Sequence, residues 1–528
     1  MFKNVLNRIF YPLIFSLILF CTEILYRKIF NTADLDKYVE TYFFILAIVS
    51  IFYFSKYKLT KFLIATFFTL SIMGNSVHYQ VYQSWLNGVN MFLFLKEFTE
   101  VKNAGISMIQ DILPHFLFSF LEILIFLSIL FFNKHKKSPT ADFLFFSLII
   151  YISVRAFRTS TLEHYISPNP GYSRVKVGYL STGYFLGRVL PYEIFSLSDI
   201  PLYHKDKPEI VSVPEIDNII LIVGESVAAS HLNVLGYERE TTPYLNKIKD
   251  QVLIKPTYSS GLFTAVALPS FFNAIPYPNG LEQILKGNTN LFRLAKERRY
   301  KTYFYSAQPE DEMAMMNFLG QAWIDEQKFP TQLGYKKKEG MADEKLLDFL
   351  PHFDLTNNKN FIVLHHRGSH LPYGYYLDEN DKPFGEKTTI DKYDNTILKF
   401  DQFYQTVFEY LKKQTNQGNY LLIYISDHGQ KVLPDGNRPG TFDEDNYIVP
   451  LVVYSNNPKL HQKIINEFNK CEISSHNQIA TFLIQTMGYK MDIQSCYNAV
   501  VNSNVLTGDA GYLKINNGIK QFILPNQK

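Results

Sequence analysis

Two scarcities narrow what this chain of 528 residues can be. It lacks an excess of either charge: 52 Lys and Arg stand against 49 Asp and Glu, for a formal net charge of +3. A protein that neutralises a phosphate backbone needs a basic surplus, so no nucleic-acid partner is expected. It is also poor in cysteine, with three residues in all, which argues against a metal centre built on thiolates. Cys21 falls in an apolar run, whereas Cys471 and Cys496 lie in the polar part, where one disulfide and two free thiols are both compatible with the spacing.

The mean hydropathy of −0.06 blends two unlike regions. Residues 1–157 are dense in Phe, Leu and Ile, and from about residue 210 the chain reads as a water-soluble α/β protein. Five apolar segments fill the first region: Ile9 to Tyr26, Tyr42 to Phe54, Phe62 to Tyr79, Ile112 to Phe132 and Phe143 to Phe157. A spanning helix needs roughly 20 mostly apolar residues, so the second and fifth must borrow interfacial aromatic residues at their ends. A cleaved signal peptide does not account for the first, because further apolar runs follow it. The positive-inside rule keeps Lys3 and Arg8, the loop Lys56–Lys61 and the loop Lys134–Lys137 in the cytoplasm. The long third loop, with Glu97, Glu100 and Asp111, then lies outside, and five spans deliver the chain after Phe157 to that outer side. Glu23, inside the first span, reads as a residue near the interface, with a polar contact in a lipid-binding cleft as the alternative.

The expected organisation is a transmembrane domain over 1–157, a connector over 158–216 and a soluble domain over 217–528. In the connector, Tyr179–Ser196 has apolar residues at near-helical spacing and reads either as a helix on the membrane surface or as a plain linker. In the soluble part, Asn218–Val223, Asn360–Leu364, Asn419–Ile425 and Val449–Tyr454 are continuous apolar runs of the kind found in buried strands. Tyr393–Lys413 has the periodicity of a helix with one buried face. Strands alternating with helices predict a mainly parallel sheet covered on both faces, with ligand chemistry just past the carboxyl ends of its strands.

Three of these runs end in groups that can bind a metal: Gly224-Glu225-Ser226, His365-His366-Arg367-Gly368-Ser369-His370, and Ser426-Asp427-His428-Gly429. Alone, each carboxylate reads as a solvated group or a helix cap. Together, Glu225, Asp427 and His428 offer two oxygen ligands and one imidazole, a set that suits Zn²⁺ with a position left over. Between them, Ser259-Ser-Gly-Leu-Phe-Thr264-Ala-Val-Ala-Leu-Pro269-Ser270 reads as a loop opening into a helix near Thr264. A hydroxyl there has backbone N–H groups beside it to hold a phosphate, and a nearby divalent metal would activate it as a nucleophile. The local sequence equally suits Thr264 as a helix N-cap, and Ser259, Ser260 and Ser270 are rival hydroxyls.

The stretch Gly224-Glu-Ser-Val-Ala-Ala-Ser-His-Leu-Asn-Val-Leu-Gly236-Tyr-Glu-Arg239-Glu-Thr-Thr242-Pro243 resembles the signature of phosphoethanolamine transferases of the alkaline phosphatase/sulfatase superfamily. Thr264-Ala-Val-x-x-Pro269, His366-Arg-Gly-Ser-His370-x-Pro372, Tyr393-Asp394-Asn395 and Ser426-Asp427-His428-Gly429 are similar to that family's other motifs, in the same order. The resemblance implies an α-helical membrane domain of about five spans plus a sulfatase-like α/β domain with a mainly parallel sheet. It implies a multi-pass protein of the bacterial inner membrane with its catalytic domain in the periplasm. Carried over, it makes Glu225, Thr264, Asp427 and His428 the Zn²⁺ ligands, Thr264 the residue that carries phosphoethanolamine, and His370 a group that binds phosphate or protonates a leaving oxygen. The donor would be phosphatidylethanolamine, drawn from the membrane lipids, and the acceptor lipid A or the lipopolysaccharide core. One departure stands out: Gln430 to Pro450 contains no His, where family members often have one, so either Lys431, Asn437 or Arg438 contacts phosphate instead, or the role falls to His365 or His366, or it is absent, which argues against a second zinc site. Three other readings remain. Phosphoglycerol transfer would differ in the headgroup pocket, and a sulfatase-like hydrolase is disfavoured because Thr264-Ala-Val-Ala-Leu lacks the Cys/Ser-x-Pro-x-Arg pattern. An inactive membrane scaffold is disfavoured because the metal-binding groups are all retained.

Overall fold

The structure, a computed structural model, describes residues 2–82, 85–96, 109–132, 137–158, 168–191, 200–313, 315–413, 418–437, 440–503, 506–508 and 511–523. The chain forms two compact units, Met1–Ser198 and Asp199–Lys528, which divide inside the expected connector.

The first unit is helical. Ile9–Ile29, Ile112–Phe132 and Pro139–Arg158 are each long and apolar enough to cross a membrane, and Tyr38–Phe54 is a shorter apolar helix of 17 residues. The remaining expected segment, Phe62 to Tyr79, lies in the helix Lys58–Thr69, which continues through a wide turn at Leu70–Gly74 into Asn75–Tyr82. Its Ser71, Asn75, Ser76 and His78 are buried and dilute its apolar character. Glu97, Glu100, Lys134 and Lys136 lie outside the described residues. So do residues 192–196 of the expected surface helix, whose observed counterpart is Arg174–Tyr184, extended by Phe185–Val189.

Glu23 is buried within the first unit and paired there. Its carboxylate is buried and accepts from Nε of Arg27 and Nε of Arg174, both at 2.9 Å. Arg174 also donates to Glu122 Oε1 and Ser76 Oγ, each at 2.9 Å, and its guanidinium lies 3.7 Å from the Tyr26 ring centroid. One countercharge comes from a turn along the same helix and the other from 151 residues away, which no local reading of the first span could supply. Replacing Arg174 with Met would leave two carboxylates buried with one cation between them. The expected loss is about 3–5 kcal/mol, read as a lower melting temperature of the first unit in detergent; an unchanged transition would contradict this account.

The second unit is built on an eight-stranded sheet. In order across it run Ser474–Ser475, Leu253–Tyr258, Ile448–Ser455, Tyr420–Ser426, Asn218–Gly224, Lys359–His365, Tyr300–Ser306 and Glu326–Lys328. All run in one direction except Ile448–Ser455, which is antiparallel to both neighbours. The reason is the connection. A parallel return needs a crossover of a dozen residues or more, usually a helix. The connection over 427–447 is long enough for such a crossover, but among its described residues it forms no long helix, just the short pair Val432–Leu433 and Gly436–Asn437 and one turn of helix, Glu444–Tyr447.

Every residue of Asn218–Gly224 and Tyr420–Ser426 is buried, as expected of strands covered on both faces. Helix Thr389–Lys413 covers one face with Ile397, Phe400, Tyr404, Val407 and Leu411. The other face packs against Leu268 and Phe272 of Thr264–Phe272 and against Ile479 and Leu483 of His476–Thr486. A small antiparallel sheet, Asn498–Asn502, Tyr512–Asn516 and Ile519–Ile523, follows. Cys471 and Cys496 are paired, with their Cα atoms 6.1 Å apart. At the centre, Val223 pairs with His365 and Gly224 with Ser426, so three adjacent strands end on one edge and release their motifs side by side.

Candidate functional site

Glu225 leaves the sheet directly after Gly224, and the chain turns at Ser226, which has a positive φ of 59°. The Tyr393 hydroxyl holds this turn, donating to Ser226 O at 2.7 Å and accepting from Ala228 N at 2.9 Å. Its neighbour Asp394 accepts from Tyr237 and Arg239, at 3.0 and 2.8 Å, and lies 2.7 Å from His231 Nδ1. The motif residues around Gly236 and Tyr393 therefore brace the loop that presents Glu225.

Asp427 and His428 follow the adjacent strand. Asp427 Oδ1 accepts from Ser226 N at 3.0 Å and from His428 N at 2.6 Å. His428 Nδ1 lies 2.8 Å from Gly429 O, so it carries the proton and leaves the Nε2 lone pair facing the carboxylates. Nε2 is 3.5 Å from both Glu225 Oε1 and Asp427 Oδ2. Thr264 is the first residue of its helix. Phe263, not Thr264, is the N-cap, and the Thr264 hydroxyl is turned to the cluster instead. Its Oγ1 is 3.1 Å from Glu225 Oε2 and 3.3 Å from His428 Nε2. Thr264 Oγ1 is thus within hydrogen-bonding distance of two of the three groups that end the strands.

One ligand atom from each of Glu225, Asp427 and His428 can be chosen so that all lie within 4.8 Å of one another. A tetrahedral ion with bonds of about 2.1 Å has ligand–ligand edges of roughly 3.4 Å, close to the separations seen. Asp427 Oδ2 is buried without a hydrogen-bond partner, a position that costs free energy unless a cation faces it. Burial, then the charge of Glu225, raises the Asp427 carboxyl above its usual range. Burial alone would depress His428, but the carboxylates of Asp427 and Glu225 outweigh it and hold the imidazole above its ordinary value. The cluster is a concentrated negative site whose donors fit a divalent cation.

The other expected residues are placed differently. His370 stands in the loop after Lys359–His365, with Nδ1 2.7 Å from Leu371 O, and lines a neighbouring cavity. Burial pushes His365 down to about 4 and His366 to about 3, so both are neutral imidazoles inside the fold; His365 meets Ser306 Oγ at 3.0 Å and His366 lies edge-on to Phe403. Lys431 is paired with Asp445, at 2.6 Å, and with Asp443. Arg438 lies outside the described residues. Ser259 donates to Gly261 O, and Ser270 is buried in the helix.

Two buried residues at the site gave no signal in the sequence. Gln308 Nε2 donates to Glu225 Oε2 at 3.1 Å and to His366 O at 3.0 Å, while its Oε1 accepts from Arg367 at 2.5 Å. His476 Nδ1 accepts from Ser260 N at 3.2 Å and its Nε2 lies 3.0 Å from Ser426 O, which ties the loop before Thr264 to the strand carrying Asp427. An amide and a neutral imidazole used only as braces carry no recognisable pattern. Each became visible only with its partners in place.

A mainly parallel sheet with carboxylates, an imidazole and a hydroxyl gathered on its carboxyl edge is the arrangement of the alkaline phosphatase and sulfatase superfamily. The chain belongs to the sulfatase family, whose domain matches residues 217–489, just over half of the chain. It is similar to a Kdo(2)-lipid A phosphoethanolamine 7''-transferase of Salmonella typhimurium, 23% identical over 323 residues, covering 57% of this chain and 53% of that protein. It is also similar to the phosphatidylethanolamine transferase Mcr-1 of Escherichia coli, 25% identical over 299 residues, covering 52% and 53%. The chain thus spans about half the length of these curated relatives. Among solved structures, the integral membrane lipooligosaccharide phosphoethanolamine transferase A of Neisseria meningitidis aligns with a TM-score of 0.47 at 16% identity, over 92% of this chain and 95% of that one.

The electrostatics of the cluster make a prediction. In full-length protein stripped of divalent ions, Asp427→Asn removes one of two facing carboxylates and is expected to raise the melting temperature of the second unit by about 2–4 °C, on the order of 1 kcal/mol. Adding a divalent cation should reverse the ranking, stabilising the wild type more than the variant. Differential scanning fluorimetry with and without chelator measures both effects.

Proposed function

We propose that this chain is a phosphoethanolamine transferase of the bacterial inner membrane, anchored by about five spans over residues 1–157 and a connector over 158–216, with residues 217–528 as its periplasmic catalytic domain. The observation that carries the reading is the position of Thr264 Oγ1, at hydrogen-bonding distance from both Glu225 and His428. Support also comes from relatives whose names specify phosphoethanolamine transfer to Kdo(2)-lipid A.

Glu225, Thr264, Asp427 and His428 would hold one Zn²⁺. The bound ion would supply positive charge at the phosphoryl oxygens and favour loss of the Thr264 proton. The remaining chemistry belongs to the side chains. Thr264 Oγ1 attacks the phosphorus of phosphatidylethanolamine. The bond from phosphorus to the diacylglycerol oxygen breaks, and that oxygen leaves with a proton as diacylglycerol. Thr264 then carries the phosphoethanolamine ester. An acceptor oxygen, from lipid A or the lipopolysaccharide core, attacks the same phosphorus, takes the group and returns the hydroxyl to Thr264. His370, in the adjoining loop, binds the phosphate or gives a proton to a leaving oxygen.

Thr264→Ala is expected to reduce transfer by about a thousandfold or more while the fold is kept, since this side chain is only part-buried. Mass spectrometry of the wild type incubated with phosphatidylethanolamine should find a phosphoethanolamine adduct on Thr264; full activity in the variant would disprove the assignment. Gln308→Leu removes the donor that orients Glu225 Oε2 and is expected to weaken zinc affinity about 10- to 100-fold, measured by competition with a chromogenic chelator, with little change in the far-UV spectrum.

A further inference from the structure

Asp343 grips the turn that lies between Glu225 and His370. It opens the helix Asp343–His352. The chain just before it is anchored to the sheet: Met341 N donates to Ala307 O at 3.0 Å, and Ala307 N to His365 O at 2.8 Å. From this fixed place its carboxylate accepts two successive backbone N–H groups, Oδ1 from Arg367 N at 2.6 Å and Oδ2 from Gly368 N at 3.0 Å. Successive N–H groups aimed at one anion form a seat that holds the backbone in a single conformation.

The gripped turn reaches Glu225 by two routes. Gly368 has a positive φ of 48°, and a side-chain carbon there would stand 3.2 Å from Glu225 O, so the turn is pressed onto the Glu225 backbone. Ser369 N then donates to Glu225 O at 3.1 Å. The other route runs through Arg367, which donates to Gln308 Oε1 while Gln308 Nε2 holds Glu225 Oε2. On the far side of the turn, His370 N donates to Arg367 O at 3.2 Å.

A carboxylate accepts on both oxygens, whereas its protonated form turns one of them into a donor and matches one N–H poorly. Burial raises the Asp343 carboxyl to about 6, and the bonds from Arg367 N and Gly368 N, with the charges of Arg367 and Lys399, offset only part of that rise. The groups that face Asp343 come from several elements. His366 Nδ1 is 3.7 Å from Oδ2, on the same loop as Arg367. Lys399 comes from the helix Thr389–Lys413 and is paired with Glu344 and, at 2.8 Å, with Asp381. Tyr424 approaches from the strand Tyr420–Ser426. His366, held near 3 by burial, stays neutral while Asp343 titrates.

We infer that Asp343 is a positioning residue: ionised, it fixes the turn Arg367–Ser369 and, through it, the setting of Glu225 and the place of His370. Its effect on turnover rests on the transferase reading, but its effect on metal binding does not. Protonation loosens the grip, so function is lost as the pH falls through about 6. The fold is not lost with it. A carboxyl raised above its unfolded value takes up a proton on folding, so this group favours the folded state more in acid than at neutral pH.

The test compares full-length wild type, Asp343→Asn and Glu344→Gln in detergent. Zinc affinity is read by chelator competition, and transfer from phosphatidylethanolamine to lipid A is read at saturating zinc. At about pH 7.5, Asp343→Asn is expected to weaken zinc affinity about tenfold and to lower kcat by a similar factor with smaller changes in KM, while Glu344→Gln changes neither. At about pH 5 the wild type has gained the proton, so the ratio of wild type to Asp343→Asn should shrink to about two in both measurements. Groups that titrate in both proteins cancel from that ratio. A ratio that does not change with pH, an unchanged zinc affinity in Asp343→Asn, or an equal loss in Glu344→Gln would each overturn the proposal. Hydrogen exchange of the wild type needs no variant: corrected for intrinsic rates, the segment 366–370 should be about tenfold less protected at about pH 5 than at about pH 7.5, and equal protection would also overturn it. Failure of the transferase reading is seen separately, as no transfer and no adduct on Thr264 in a protein whose zinc affinity still responds to Asp343→Asn.

Discussion

Two carboxylates and an imidazole are held at the ends of adjacent strands, out of water, with no lysine or arginine side chain hydrogen-bonded or ion-paired to either carboxylate among the described residues. Most of the architecture of the second unit around this point can be understood as support for that strained concentration of charge. The Tyr393 hydroxyl pins the turn after Glu225, Gln308 fixes its outer oxygen, and His476 ties the Thr264 loop to the strand that carries Asp427. Preorganised in this way, the groups cannot relax apart when uncompensated, which makes the site demand a cation and holds Thr264 in place beside it.

The first unit offers the contrast. Glu23 and Glu122 are also buried carboxylates, yet there the fold supplies its own cations, Arg27 and Arg174, in direct contact. The same cost of burying charge is met in one case by side chains, giving a structural knot, and in the other left open, giving a site. Counting buried acids alone does not separate the two; the deciding fact is whether a guanidinium arrives from elsewhere in the chain.

This difference explains what could be read in advance. The strands Asn218–Gly224, Lys359–His365 and Tyr420–Ser426 were visible as continuous apolar runs because both of their faces are covered, and the helix over 389–413 because one face is. The strands Tyr300–Ser306 and Leu253–Tyr258 were not read: the first mixes Lys301 and Thr302 with aromatics, and the second carries Lys255 and Pro256 within it. The reversed direction of Ile448–Ser455 was not visible either, since direction depends on whether the connection forms a crossover helix rather than on the residues of the strand.

For the site, the residue types alone indicated Glu225, Asp427 and His428 as candidate ligands, because carboxylates and an imidazole after buried strands have few other uses in combination, whereas Thr264 was indicated by the family resemblance. The sequence alone also determined the division into an apolar helical region and an α/β region, since hydropathy is a property of composition. Only the tertiary structure decided that Thr264 faces Glu225 rather than capping its helix, that Cys471 meets Cys496, that Glu23 is neutralised and that Gln308 is a brace. Each of these depends on a partner from 25 to 151 residues away, and the approach of distant groups is set by packing that no local stretch of chain encodes.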